Sequence, residues 1–218
     1  MIYATMIVGE EYCKKYYPQV LEASSSNEVY ILTDHPELFP ECNTVYYNKD
    51  VFSYFDKLIF LAELTLEKKK RVTFIDCDWF KNLGSSISIK EDTFYTYWVY
   101  TLSDLKGMTL YEFGVDLMIE VLNDNGYKVD YEDYIGEAVL SLPYSSKVES
   151  VLEDLIALKS PWEKAFSQSI DTEHSTLLRY SKYGVGYAEG GALTAVLRKH
   201  SIPYEGVTRW GLLKHSMI

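Results

Sequence analysis

Arg71-Val-Thr-Phe-Ile-Asp-Cys-Asp-Trp79 is the stretch on which the reading of this chain turns. Val72, Thr73, Phe74 and Ile75 are β-branched or aromatic, the side chains that suit a pleated, buried surface. They run straight into two carboxylates, Asp76 and Asp78, with one residue between them. A buried strand that stops there delivers both charges to the carboxyl edge of a sheet, where open α/β folds bind their ligands. Two clustered carboxylates repel each other unless a cation or a shared proton relieves them. Hard ions such as Mg²⁺ and Mn²⁺ take oxygen ligands and commonly bridge carboxylates to substrate phosphates. An Asp-x-Asp is also compatible with a plain polar turn. The apolar run before it and the aromatic pair Trp79-Phe80 after it favour a metal–diphosphate site. Cys77 lies between the carboxylates, and the two-residue period of a strand turns its side chain to the opposite face, to pack there.

The 218 residues suffice for one sizeable α/β domain, and no linker-like stretch divides them. Hydrophobic residues make up 47% and charged residues 24%, the balance of a soluble globular protein with a full core. Twenty tyrosines supply both packing area and polar tips for a groove or the core edge. The net charge of −11 repels nucleic acid at long range and disfavours such a partner without excluding it. It also means that a phosphorylated substrate needs a cation or a few placed Lys and Arg side chains. Cys13, Cys42 and Cys77 are odd in number and form no CxxC pair, so they read as reduced thiols in a reducing, cytoplasmic compartment. The opening Met-Ile-Tyr-Ala-Thr-Met-Ile-Val has no basic region and reads as a first strand rather than a signal peptide. No stretch approaches the length of a membrane span.

Along the chain, residues 2–8 form an apolar strand, and a helix follows from Gly9-Glu10 to about Ser24. Residues 29–33 are a second buried strand and residues 44–47 a short third one. Residues 52–70 are helical, with Tyr54, Leu58, Leu61 and Ala62 on one face, and Lys68-Lys69-Lys70-Arg71 closes that helix. This basic run is either a solvated helix end or a phosphate-binding patch. The strand that ends at Asp76 completes a β-α-β alternation, which builds a mostly parallel sheet. Residues 87–111 read as irregular strands, residues 114–125 as a helix stopped by Asn125-Gly126, and residues 134–142 as one further strand. Residues 147–159 form an amphipathic helix and residues 171–180 another. A Gly-rich segment (Gly184, Gly186, Gly190, Gly191) leads to a tail containing His215.

This order of elements resembles a compact GT-A-fold glycosyltransferase, most similar to the glycogenin-like family 8 enzymes, with an echo of the blood-group transferases. The resemblance spans nearly the whole chain, and the Asp-x-Asp after a buried strand is its most specific motif. It implies one Rossmann-like domain with a mostly parallel central sheet flanked by helices. Residues 1–80 would be the nucleotide-binding half and residues 81–218 the sugar and acceptor half. Ala4-Thr5-Met6-Ile7-Val8-Gly9 with Tyr12 resembles the uridine-binding opening, so Thr5, Ile7, Val8 and Tyr12 are implied nucleotide contacts. Asp56-Lys57-Leu58 resembles the Thr-Lys-Leu-type motif, whose Lys faces the donor diphosphate. Asp76, Cys77 and Asp78 match the metal motif, with Asp76 and Asp78 as ligands of Mn²⁺ or Mg²⁺.

Asp171-Thr-Glu173-His174-Ser-Thr-Leu177-Leu178 resembles the helix start that places a carboxylate near the anomeric carbon. Glu173, with Asp171 as runner-up, is the implied catalytic residue; such a carboxylate can steady an oxocarbenium-like centre or act as nucleophile or base. Acidic residues are equally at home capping a helix. Two departures stand out. Tyr134-Ile-Gly-Glu137-Ala-Val-Leu140 replaces the family's Phe-Asn-Ser-Gly-Val-Phe, and the terminal His-x-x-Gly-x-x-Lys-Pro-Trp motif is absent, leaving His215 as the nearest third metal ligand, with His174 second.

The implied activity is transfer of a sugar from a nucleotide-sugar donor, a UDP-sugar first, to a hydroxyl on a glycan, protein, lipid or modified nucleic-acid base. Two alternatives stand beside it. One is a nucleotide-sugar-binding protein that has lost turnover. The other is a haloacid-dehalogenase-type phosphatase, in which the Asp-x-Asp normally lies near the amino terminus and continues into Thr or Val rather than Trp79-Phe80.

Overall fold

A computed structural model describes residues 2–82, 90–106, 114–168 and 188–206. The first half is β1 (Ile2–Ile7), α1 (Glu10–Ser24), β2 (Glu28–Thr33), a 3-10 turn (Pro36–Leu38), β3 (Asn43–Tyr46), α2 (Asp56–Lys68) and β4 (Val72–Ile75). These strands are parallel and lie in the order β3-β2-β1-β4. The chain winds outward from β1 to β3 and then returns to the other side of β1. Such a reversal opens a crevice between the carboxyl ends of the two strands that flank it, here β1 and β4.

Beyond a 3-10 turn (Cys77–Asn82) come β5 (Phe94–Thr96), β6 (Val99–Thr101), α3 (Leu102–Lys106), α4 (Gly114–Asp124), β7 (Asp133–Ile135), β8 (Val139–Leu142), α5 (Val148–Gln168), α6 (Glu189–Lys199) and β9 (Tyr204–Gly206). The main sheet has the order β3-β2-β1-β4-β8-β5-β9, with β8 antiparallel to both neighbours, while β6 and β7 form a separate antiparallel pair. The architecture is therefore α/β, a mostly parallel mixed sheet with helices on both faces. On one face α1 packs Cys13, Tyr16 and Val20 against Ile7, Ile31 and Ile75. On the other, α2, α4, α5 and α6 share the larger core, among them Leu61, Met118, Leu155 and Val196 against Ala4 and Phe74. Among the described residues no helix is long and apolar enough to cross a membrane.

Several elements depart from the expected boundaries, each for a physical reason. The strand expected over residues 134–142 is two strands in two sheets: β7 pairs with β6, and β8 enters between β4 and β5. Gly136 N–H bonds the Trp98 carbonyl (2.9 Å), which ends one pairing before the other begins. Residues 102–106 form a helix within the region read as irregular strands. α5 runs past Lys159 and through Pro161 to Gln168. A proline inside a helix costs roughly 3 kcal/mol, but Trp162 and Phe166 beyond it are fully buried, and two buried aromatics at roughly 2–3 kcal/mol each offset it. Gly190 and Gly191 belong to the first turn of α6 rather than to a loop. The basic run ends in a structural role for Arg71, whose guanidinium bonds the carbonyls of Lys90, Glu91, Thr93 and Ser141. The helix expected over residues 171–180, and Gly184, Gly186 and His215, lie outside the described residues.

α2 starts at Asp56, later than residue 52, because the chain before it is tied down by one buried carboxylate. Asp56 accepts from Lys49 (2.6 Å), Lys159 (3.0 Å) and the Tyr47 hydroxyl (2.8 Å), joining the chain just after β3 to α2 and α5. Burial alone would raise the Asp56 pKa, but those three donors outweigh it and hold the carboxyl below its ordinary value. A carboxyl with a depressed folded-state pKa stabilises the fold above its unfolded pKa, and that contribution fades as pH falls through the folded value. Asp56→Asn is expected to cost ~3–5 kcal/mol in urea unfolding at neutral pH. The gap to the wild type is expected to narrow as pH falls below about 4.

Candidate functional site

A cavity of about 700 Å³ opens at the crevice between β1 and β4, within the size range of small-molecule sites. Its floor is the end of β1 (Met6, Ile7, Val8) and the end of β4 with the turn after it (Phe74, Asp76, Cys77, Asp78). One wall is α1, through Tyr12, Lys15 and Tyr16; the other is the chain leading into α2, through Phe52, Tyr54 and Lys57. The turn from β1 into α1 needs glycine, because Gly9 has φ +95°, a backbone conformation that side chains disfavour. Both Asp34 oxygens, at the end of β2, accept from Gly9 N–H (2.9 and 3.1 Å). That fastening sets where α1 begins and so sets Tyr12, which is 47% exposed and stacks roughly on Tyr16 (6.2 Å between centroids).

The carboxylates of the cavity are organised around Lys57. It leaves the first turn of α2 with its side chain only 7% exposed, passes the Phe74 ring (5.9 Å), and reaches Glu189 (2.6 Å) and Asp76 (3.7 Å). Strand alternation explains the meeting. Phe74 faces α2, so Asp76 two residues on emerges on the same side, whereas Cys77 packs with the α1-side cluster. Glu189 starts α6, whose amino end presses against the rest of the core: a Cβ on Gly190 would lie 2.0 Å from the Ile135 carbonyl, and one on Gly191 2.0 Å from Met118 Sδ. Only glycine at 190 allows α6 to bring Glu189 that close. Gly190 N–H in turn bonds Glu137 (3.2 Å), which also accepts from the Tyr134 hydroxyl.

Electrostatics follow from this crowding. Burial works against a charged Lys57, but Asp76, Glu189 and Glu137 outweigh it and raise its pKa, so it stays an ammonium. Burial pushes the Asp76 carboxyl up to about 6; Lys57 opposes the rise, and Asp78 and Glu189 add to it. The side chain keeps 37% exposure toward the cavity, so solvent or a bound ligand reaches it. Glu137 is pushed up to about 7, first by burial and then by Glu189. Burial likewise raises the Cys77 thiol, which leaves it a packed neutral side chain rather than a thiolate ligand.

Of the residues singled out in the sequence, Ile7, Val8, Tyr12, Lys57, Asp76, Cys77 and Asp78 all line this one cavity. Thr5 does not line it: it is fully buried in β1, and its hydroxyl has no hydrogen-bond partner among the described residues. Asp171, Glu173, His174 and His215 lie outside the described residues. Lys57 is a buried group rather than a solvated helix lysine. Sequence reasoning missed Glu189; its signal was an acidic residue directly before Gly190-Gly191 and an apolar helix. Phe52 and Tyr54 were also missed, as residues of an expected helix.

As a metal site, Asp76 and Asp78 offer hard oxygen donors on one cavity. Among the described residues no three His, Cys, Asp or Glu side chains converge as a metal-binding group. Two carboxylates fit part of the oxygen shell of a hard cation such as Mg²⁺ or Mn²⁺, and not a closed all-protein cage.

The Lys57–Glu189 pair carries its own test. Removing one partner of a buried pair strands a charge and costs ~3–5 kcal/mol, whereas replacing both by apolar groups is often near neutral. Glu189→Gln and Lys57→Met are each expected to destabilise by that amount in chemical denaturation. The double variant Lys57→Met/Glu189→Leu is expected to be more stable than either single one.

The chain matches no protein-family model and no curated protein.

Proposed function

We propose that this protein is a metal-dependent glycosyltransferase of GT-A architecture, moving a sugar from a nucleotide-sugar donor, a UDP-sugar first, to an acceptor hydroxyl. The observation that carries the reading is the shared cavity. Aromatic side chains (Tyr12, Phe52, Tyr54) and charged ones (Lys15, Lys57, Asp76, Asp78) line one opening at the β1/β4 reversal. A nucleoside diphosphate has the same two characters, a flat apolar base joined to a polyanion. With a net charge of −11 on the chain, the polyanion needs local cations.

Asp76 and Asp78 would hold Mn²⁺ or Mg²⁺, which when bound neutralises the diphosphate and acts as a Lewis acid toward the leaving nucleotide. Lys57 supplies a fixed positive charge beside Asp76, already desolvated and aimed, so little is lost in ordering it on binding. Cys77 and Phe74 keep the floor of the site apolar. Glu173 and Asp171 retain the role that the resemblance gives them. Glu189, also at the amino end of a helix, is buried against Lys57 (2.6 Å) and does not line the cavity, so its part is to hold Lys57 in place. The acceptor is any of the hydroxyl classes named above, with nucleic acid disfavoured by charge.

Calorimetric titration of UDP with and without Mn²⁺, followed by UDP- and GDP-sugars, tests the reading. Mn²⁺-dependent UDP binding is expected in the wild type, and its loss in Asp78→Asn with an unchanged melting temperature. Undiminished affinity in that variant removes the metal from the proposal. Absence of any nucleotide binding removes the donor, and binding without hydrolysis or transfer leaves a binding protein.

A further inference from the structure

The wall that carries Phe52 and Tyr54 is more than incidental lining. Residues 48–55 connect β3 to α2 without regular structure, yet they are held at several points. The Tyr47 hydroxyl donates to Asp56 (2.8 Å), accepts from Ser53 N–H (3.1 Å) and lies 3.2 Å from the Val51 carbonyl. Lys49 bonds Asp56 as well (2.6 Å). Ser53 and Phe55 turn inward, at 2% and 0% exposure, and Phe55 packs against Trp162 of α5 (6.2 Å between centroids). Phe52 and Tyr54, between and beside them, line the cavity instead. Their rings meet edge to face (4.8 Å, 85°), a favoured aromatic geometry that lets each brace the other.

α1 belongs to one face of the sheet and α2 to the other, so the aromatic side chains that line this one cavity come from opposite layers. Resting on the nucleotide reading above, we propose that Phe52 and Tyr54 form the second wall of a nucleobase slot, holding the donor's base between them and Tyr12. Every base has a π-face on each side, and stacking on aromatic side chains is tolerant of base identity. A two-walled slot uses both faces; a single tyrosine uses one. Lys57, Asp76 and Asp78 line the same cavity, and Lys15 over the Tyr16 ring (4.9 Å) adds a second cation on the α1 wall, so one opening offers partners to the base and to the diphosphate. Because the braced segment is anchored through Asp56 and Tyr47, the slot exists before ligand arrives, and base binding does not wait for metal.

The experiment compares uridine, UDP and UDP with Mn²⁺ on the full chain, for the wild type and for Phe52→Leu, Tyr54→Leu and the double variant, with thermal melts to confirm folding. Leucine keeps apolar volume and removes the ring. Metal-free uridine binding is expected in the wild type, weakened roughly tenfold to a hundredfold in the double variant. The factor by which Mn²⁺ strengthens UDP binding is expected to stay the same in every variant. Tyr54→Phe, which keeps the ring, is expected to bind as the wild type does. Unchanged uridine affinity in a folded double variant overturns the second wall while leaving the nucleotide site standing. Absence of uridine and UDP binding in the wild type overturns both together.

Discussion

A lysine ammonium cannot remain charged in a protein interior without counter-charges and hydrogen bonds around it, and much of this structure is arranged to meet that demand at Lys57. The ammonium comes from α2, Asp76 from the turn after β4, Glu189 from the start of α6, and Glu137 from the turn between β7 and β8. Four parts of the chain are thereby registered on one atom. If α6 slid outward by even a fraction of its side-chain contact, Lys57 would lose its 2.6 Å partner. Gly190 is the steric condition for that registration, since any larger residue there would meet the Ile135 carbonyl and hold the helix off β7, while a larger residue at 191 would displace the Met118 side chain.

The same cluster faces two ways. Toward the core Lys57 is offset by Glu189, and Glu137 is hydrogen-bonded by the Tyr134 hydroxyl and Gly190 N–H. Toward solvent the balance is incomplete, because Asp78 is exposed and Asp76 keeps over a third of its surface. What lines the opening is a pair of carboxylates with Lys57 behind them and Lys15 on the α1 wall, among side chains that are otherwise largely aromatic and aliphatic. On the reading proposed above, such a surface takes a cation-bridged polyanion joined to a flat ring.

Much of this was legible in the sequence, and the part that was not has a common cause. Residues 72–78 announce a buried strand with carboxylates at its end because both signals are local, and β1, α1, β2 and β4 fall where period-two and helical patterns put them. Lys57 and Tyr12 reached the cavity through the resemblance, not through any property of a lone Lys or Tyr. Glu189 was invisible because its meaning depends on Lys57, far away in the chain and joined to it only by the packing of α6. Residues 134–142 read as one strand since every side chain suits a strand; only the pairing partners, Trp98 for Gly136 and β4 for β8, reveal the break. Residues 52–55 pattern well enough as helix, and it took Tyr47 and Asp56 to hold them otherwise.

The antiparallel insertion of β8 between β4 and β5 has a consequence during synthesis. As the chain leaves the ribosome, β1, β2, β3 and α2 can assemble as soon as β4 appears, but β4 then waits for β8 with one edge bare. All four of its residues are buried in the finished sheet, and at ribosomal speed of about 5–20 residues per second the delay is on the order of seconds. An apolar strand with an open edge invites pairing with the wrong chain. Directly before it stand Lys68, Lys69, Lys70 and Arg71, a block of like charge of the sort that keeps nascent edges apart. When β8 arrives, Arg71 bonds the Ser141 carbonyl on that strand, so a charge that guards the edge while it is open becomes the latch that closes it.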